Sequence, residues 1–469
     1  MKKILIIPAM LLAATSMFAQ KLTMDEAFKQ ADKIVSSIRK TSFPDRKFNI
    51  CDFGAKSGDS TVLNHEAINN AIIACTKAGG GMVVVPKGTF YTGPITLKSN
   101  VNLHFEDGAV LKFTTDPTYY FPQVLTRWEG LDCYNMHPLI YAYGESNIAI
   151  TGKGRLDGQG EKFFWSLSGK HALHLEGVPH QGQGGREKLL MYAETFAPVD
   201  RRIMKYEDAL RPQFVNIYNC NGVLIEDITL TNSPFWVLHP LLSQNIIVRG
   251  VTVNGLGPNG DGCDPESCKN VLIENCVFNT GDDCIAIKSG RNADGRKWNV
   301  PSENIIVRGC KMNDGHGGVV IGSEISGGYR NLFVENCEMD SPHLDRVVRI
   351  KTSTCRGGVI ENIYVRNVKV GQCGESVVRI NLQYENREKC ERGHIPTVRN
   401  VNIENVTCQK SKYGIQINGL DEDDNIYDIN LKNCEFNGVT DKKLNLLSGK
   451  FHNVNLDNVK INGKKAKLK

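Results

Sequence analysis

Apolar and polar residues alternate with period two in ten short segments of the chain, each led by Asn or Asp and several closing on Cys. The pattern is plainest in "NVLIENCVF", "NIIVRGCKM", "NLFVENCEM", "NIYVRNVKV", "NVNIENVTC", "DINLKNCEF" and "NVNLDNVKI", led by Asn270, Asn304, Asn331, Asn362, Asn400, Asp428 and Asn453. Earlier copies start at Asn147, Asn221 and Asn245. Alternation of this kind predicts strands. From Asn221 onward the leaders lie 24 to 38 residues apart, a unit length that predicts a solenoid. The fold class expected is all-β: a single-stranded, right-handed parallel β-helix, its rungs about 4.8 Å apart. Cys276, Cys310, Cys337 and Cys434 hold one place in their units, so a column of buried thiols is expected there rather than disulfides. The leading asparagines suit turns whose side chains hydrogen-bond along the stack.

Three stretches break the pattern. A helical period runs from Met24 to Arg39, and a second helix is expected in "DSTVLNHEAINNAIIACTKAGGG", ending at Gly79 to Gly81. Both are expected to cap the open end of the solenoid. Residues 163–204, rich in Gly, His, Glu and Arg, read as a long loop over the solenoid wall. The first residues, "MKKILIIPAMLLAATSMFAQ", have two lysines, an apolar run and small residues up to Ala19, the layout of a secretory signal. The organisation expected is a signal over 1–19, a helical segment over 20–48 and a β-helical catalytic domain over 49–469. That implies export to the periplasm or the medium. No cysteine precedes Cys51, which argues against a lipid anchor, and no later run of about 18 apolar residues predicts a membrane span.

Formal charge is +5, and +3 once Lys2 and Lys3 are removed (5 − 2). That bias is too small to argue for nucleic acid, so charge recognition must be local. Fifteen cysteines in an exported chain would first suggest a disulfide framework, but their odd number and repeating places favour the buried column.

Candidate chemistry follows from the repeat. The units from Asn270 and Asn304 align without a gap and set Asp282 against His316. Four inserted residues align the unit from Asn245 and set Asp261 against Asp282 and Cys263 against Cys284. A short insertion in the unit from Asn331 sets Lys351 against Lys288, with Arg349 and Lys351 projecting outward around Ile350. One outer face would thus carry Asp261, Asp282, His316, Arg349 and Lys351 on neighbouring rungs. Strict alternation would bury Asp283, at a cost of several kcal/mol for an unpaired carboxylate. Gly281 is expected to bend the chain so that both carboxylates face the cleft. Like charges so close raise one pKa, giving an acid and a base, the pair that glycoside hydrolysis needs. Arg and Lys alongside would hold an anionic sugar. Taken singly, each group also has a plain reading: a solvated Asp-Asp turn, a structural histidine, a charged strand face. "NGDGCDPE" lacks the ligand spacing of an EF-hand calcium loop.

In "FGAKSGD" at Phe53, "NGDGCD" at Asn259, "GDDC" at Gly281, "GHG" at Gly315 and "RIK" at Arg349, in this order, the chain resembles the family 28 glycoside hydrolases, the polygalacturonases and their relatives. The resemblance implies an inverting hydrolase of α-1,4-galacturonosyl linkages in pectin that needs no cofactor and no metal. It implies Asp282 as general acid and Asp261 with Asp283 as the pair that activates water. His316 would support the acid, and Arg349 and Lys351 would bind the galacturonate carboxylate. Tyr384 matches a downstream family tyrosine, and Asn259, Lys288 and Glu324 complete the expected substrate-binding set. An inverting pair should lie about 6.5 to 9.5 Å apart. Two motifs depart from the family's usual form, at Gly260 and at Gly281, without removing a catalytic group.

"GSEISGG" resembles the exo-acting bacterial branch. The long loop could close one end of the cleft, with His171, His174, His180, Arg186, Arg201 and Arg202 as candidate substrate contacts, or it could be a surface decoration. A rhamnogalacturonan hydrolase of the same family, a pectate lyase and a noncatalytic sugar-binding β-helix are the alternatives, the last because the scaffold alone implies no reaction.

Overall fold

The computed structural model describes residues 21–169, 173–384 and 388–468. The signal expected over 1–19, and His171, lie outside the described residues. Almost all strands are parallel and pair with the corresponding strand of the next coil, in three stacks. The first stack runs from Lys47–Asn49 and Gly81–Val85 to His452–Asp457. The second runs from Gly88–Thr92 to Lys460–Ile461. They merge into one 24-stranded sheet because Val359–Val370 and Thr397–Cys408 pass through both. The third stack starts at Ile95–Thr96 and ends at Leu446–Ser448. This is the β-helix that the repeat predicts, except that Lys47–Asn49 already belongs to it, which puts the first strand across the boundary expected at residue 49.

The leading asparagines do what their position suggests. Asn245, Asn270, Asn304, Asn331, Asn362, Asn400 and Asn453 all have left-handed backbone, φ between 49° and 66°, a conformation that Asn tolerates better than most residues. Each amide can then reach along the stack: Asn304 donates to Asn270 at 2.9 Å, Asn331 to Asn304 at 2.9 Å and Asn400 to Asn362 at 2.8 Å. Cys276, Cys310, Cys337 and Cys434 are buried free thiols. Cys355 and Cys390, outside that column, form a disulfide.

The two helices part company. Helix α2, His65–Lys77, places Ile68, Ala71, Ile72 and Cys75 in the solenoid core and closes its first coil. Helix α1, Met24–Ser37, is not a cap. It lies along the outside of the first stack, where Ala27, Phe28 and Ala31 cover Ile247, Leu272, Ile306, Phe333 and Tyr364. Those outward positions are apolar, and covering them is what places the helix there.

Residues 163–204 are not a bare loop. They carry helix α3, Gly185–Glu194, whose Leu189, Leu190 and Ala193 pack on Trp128, Leu131 and Cys133 of the antiparallel hairpin Val124–Trp128 and Leu131–Asn135. A fourth helix, α4, spans Asn292–Trp298 and touches α3. Among the described residues no helix is long and apolar enough to cross a membrane.

Candidate active site

The site lies on the third stack, where the strand order carries polar groups from rung to rung. Ile285 pairs with Val319, so Asp282 stands against His316 as the gapless alignment predicts. Ile287 pairs with Ile321 and Ile321 with Ile350, which puts Lys288 and Lys351 in one column two rungs apart. The alignment of Asp261 is one residue off. Cys263 pairs with Ile285 rather than Cys284, so Asp261 faces Asp283. The rung from Cys263 to Glu266 holds only isolated bridges around Pro265, which has no N–H to give the ladder, and an irregular rung shifts register easily.

One carboxylate oxygen from each of Asp261, Asp282 and Asp283 lies within 4.8 Å of the other two. The window of about 6.5 to 9.5 Å expected for an inverting pair is a separation of whole carboxyl groups, of which these are the nearest oxygens. Adjacent rungs of a sheet stand about 4.8 Å apart, which sets Asp261 against the next rung, where Asp282 and Asp283 are neighbours in the chain. Gly281 does not act through a left-handed bend, since its φ is not positive. A Cβ there would come within 2.2 Å of Gly257 O, so glycine allows the Asn259 loop to close over the carboxylates.

Asp283 is fully buried and faces the site, not the core. Lys351 Nζ donates to Oδ2 at 2.7 Å and Arg349 Nη1 to Oδ1 at 3.2 Å. Burial opposes its charge, but Lys351 and Arg349 outweigh burial and bring its pKa to about 2. Asp261 goes the other way: burial, then Asp282, hold it well above the usual carboxylate range. Lys288 Nζ stands 3.8 Å from Asp261 and 3.0 Å from Glu324, its main partner, and its charge opposes the rise at Asp261 without overcoming it. Asp282 is partly open to solvent, and His316 Nδ1 lies 3.1 Å from its Oδ1. That contact lifts His316 to about 8.

The cations are paired rather than poised as bases. Burial works against the charge of Lys351, and Asp283 and Tyr384 restore it. Lys288 is held above its ordinary range by Glu324, Asp264 and Asp261 against burial, and sits 4.4 Å from the Trp236 ring centroid. The Tyr384 ring lies 5.6 Å from the Arg349 guanidinium and 5.3 Å from Lys351 Nζ. The three carboxylates are close enough to share a cation, yet Asp283 already accepts from both Arg349 and Lys351.

These groups line a cavity of about 400 Å³. Every residue of the expected set contributes to it or, for Asp283, bonds to its lining: Asn259, Asp261, Asp282, Lys288, His316, Glu324, Arg349, Lys351 and Tyr384. The long segment gives it only Arg186. Arg202 is instead buried in an ion pair with Asp294, His174 is exposed away from the cavity, and His180 and Arg201 do not line it. Sequence reasoning missed Glu129, Trp236, Ser323, Asp345 and Arg346, which also line it. It missed Arg211 too, which holds the Asn259 loop by donating to Asn259 Oδ1 at 2.8 Å and Pro258 O at 2.6 Å. Glu129 and Arg211 come from outside the repeat column, so spacing offered no signal for them, whereas Arg346 pairs with Gly317 and Asp345 stands one rung on from His316, in the column of Asp282, places that unit spacing marks.

A parallel β-helix that gathers three carboxylates, a histidine and paired cations in one cleft is built for acid–base work on an anionic carbohydrate. The sequence profile of "Glycosyl hydrolases family 28" matches residues 200–447, and the chain belongs to that family. It is 30% identical over 331 residues to a protein of Vitis vinifera named "Probable polygalacturonase", covering 68% of this chain and 60% of that one. It is 27% identical over 441 residues to the exo-poly-alpha-D-galacturonosidase of Dickeya chrysanthemi, covering 88% of this chain and 71% of that one. The crystal structure of a hyperthermoactive exopolygalacturonase from Thermotoga maritima superposes with a TM-score of 0.86 at 42% identity, covering 94% of this chain and 97% of that one. The protein is thus a glycoside hydrolase.

Proposed function

We propose that the protein is an exo-acting polygalacturonase that releases galacturonate from the ends of pectic chains. The observation that carries this reading is the pairing of Asp283 with Lys351 and Arg349 inside a cavity that also presents Asp261, Asp282 and His316. The relatives named for exo action on galacturonans support it.

In this reading Asp282, next to His316, protonates the glycosidic oxygen as the bond to the anomeric carbon breaks. A water held by Asp261 and Asp283 attacks that carbon and gives its proton to this pair. Burial and then Asp282 hold Asp261 above the usual carboxylate range, while Lys351 and Arg349 outweigh burial and keep Asp283 charged throughout the working range. Arg349 and Lys351 turn outward from Asp283 toward the sugar's carboxylate, with Tyr384 beneath them. A lyase would need a cation able to lose its proton, whereas Lys288 and Lys351 are both held charged.

Carboxylates this close make the stereochemistry a direct test. Proton NMR of the first product from a short oligogalacturonide, with chelator present, should show the anomer opposite to the substrate's. Retained configuration would replace the water-activating role with a nucleophile, and an unsaturated product would replace hydrolysis with elimination. The pattern of residues 1–19 supports export. Amino-terminal sequencing of protein recovered outside the cytoplasm should begin at residue 20.

A further inference from the structure

Of fifteen cysteines, thirteen are free thiols and two, Cys355 and Cys390, are bonded to each other. The bonded pair brackets an ion pair. Arg356 follows Cys355 directly, and Glu388 lies two residues before Cys390. Along the chain Arg356 and Glu388 are 32 residues apart, yet the disulfide makes them near neighbours. Arg356 Nη1 donates to Glu388 Oε1 at 3.1 Å and Nη2 to Oε2 at 3.0 Å. Arg291 adds Nε at 3.1 Å and Nη2 at 2.7 Å, and Asn292 adds Nδ2 at 2.8 Å.

The same two guanidiniums reach on to the catalytic cavity. Arg291 Nη1 stands 3.7 Å from Glu324 Oε1, and Arg356 Nε donates to Ser323 O at 3.2 Å. Ser323 and Glu324 line the cavity, and Glu324 holds Lys288 at 3.0 Å. Arg291 and Arg356 are fully buried. With Glu388 displaced, their charges would bear more heavily on Glu324 and draw it off Lys288. The segment after Glu388 is also tied by Glu391 N to Glu194 Oε2 at 3.1 Å and by His394 N to Thr354 O at 3.0 Å, contacts that survive reduction and keep the fold together. Cys390 is half-buried and lines a cavity of about 740 Å³ beside α3, through which a small dithiol can reach its sulfur. The acid–base chemistry above uses neither Glu388 nor the disulfide.

We propose that Cys355–Cys390 is a redox latch on substrate binding and that Glu388 is the positioning residue through which it acts. When a dithiol reduces the bond, each sulfur takes up one electron and one proton, and the reductant closes to its own disulfide. Glu388 then loses its short tether to Arg356, the two arginines turn toward Glu324, and Lys288 leaves its place in the cavity. The reduced enzyme is folded but binds its substrate weakly, and forming the bond completes the site. The choice of substrate rests on the polygalacturonase reading above.

The test compares oxidised wild type, wild type reduced with dithiothreitol under native conditions, Glu388→Gln, Glu388→Asp and the double variant Cys355→Ser/Cys390→Ser. Peptide mapping after alkylation reads the state of the bond. KM and kcat on trigalacturonate, the thermal midpoint, and hydrogen exchange of backbone amides 286–298 and 322–326 are followed. Reduction, Glu388→Gln and the double variant should each raise KM about tenfold, the worth of one charge-assisted hydrogen bond, and keep kcat within about twofold. Each should also speed exchange in both segments. Reoxidation should restore the wild-type KM, Glu388→Asp should recover part of it, and dithiothreitol should leave the double variant unchanged. Loss of folded protein alone would lower the apparent kcat and leave KM where it was, so the split separates positioning from stability. If the double variant does not fold, chemical reduction and Glu388→Gln carry the test. Reduced wild type with the oxidised KM and exchange rates would overturn the latch, and Glu388→Gln with the wild-type KM and exchange rates would overturn the role of Glu388. Oxidised wild type inactive on every galacturonan would overturn the substrate reading instead; exchange unchanged by reduction would then overturn the latch as well, and faster exchange would uphold it.

Discussion

Removal of Lys351 probes the link between ion pairing and catalysis most sharply. Asp283 is fully buried and has two cationic partners, Lys351 at 2.7 Å and Arg349 at 3.2 Å. Breaking a buried pair costs about 3 to 5 kcal/mol. Arg349 survives in Lys351→Met, so the lower figure applies. One pKa unit corresponds to 1.36 kcal/mol, so about 3 kcal/mol moves Asp283 by roughly two units. It should then titrate at about 4 instead of about 2. If Asp283 must be ionised for water to be activated, kcat/KM of Lys351→Met on trigalacturonate should fall along a new acid limb near pH 4, where wild type retains its rate. This is separate from weaker binding of the substrate carboxylate, which lowers kcat/KM at every pH. A profile with the wild-type acid limb, reduced uniformly, would refute the reasoning and confine Lys351 to binding.

Other changes should act in ways the geometry specifies. Asp282→Asn should lower kcat by about 10² to 10⁴, the usual worth of a general acid, with the thermal midpoint unchanged to within a few degrees because its side chain is partly exposed; an unchanged kcat would remove it from the chemistry. His316 is raised to about 8 by its hydrogen bond to Asp282. Its contribution is therefore complete below about 6.5 and disappears as pH rises through 8, and His316→Gln should erase an alkaline limb there in the rate profile. Asn304 has φ 58°, donates to Asn270 and accepts from Asn331. Asn304→Ala should cost about 2 to 4 kcal/mol in denaturant unfolding, from left-handed backbone strain plus two hydrogen bonds. Asn304→Gly, spared the strain, should cost less by about 1 kcal/mol or more, and equal losses would show that the ladder bonds alone matter.

Residues that recur with the coil were readable from the chain; residues brought in from outside it were not. The Asn column and the pairing of Asp282 with His316 depend on unit length alone, and the units from Asn270 and Asn304 have equal length through the strands. Asp261 slipped by one because its rung, interrupted by Pro265, offers no alternation to count. Helix α1 was legible as a helix, yet its destination depends on which outward face of the stack is apolar, a property of five strands together and not of residues 24–37. Glu129 and Arg186 are 57 residues apart in sequence and meet only because two insertions fold onto each other. Trp236 and Arg211 act through packing against Lys288 and the Asn259 loop, and no motif marks them.

The most direct measurement is a timed product analysis on polygalacturonate and defined oligogalacturonides, in chelator, comparing wild type with Asp282→Asn. Single galacturonate units should appear from the first sample and be lost in the variant. Early products longer than two sugars, unsaturated products, or undiminished release by Asp282→Asn would contradict the account.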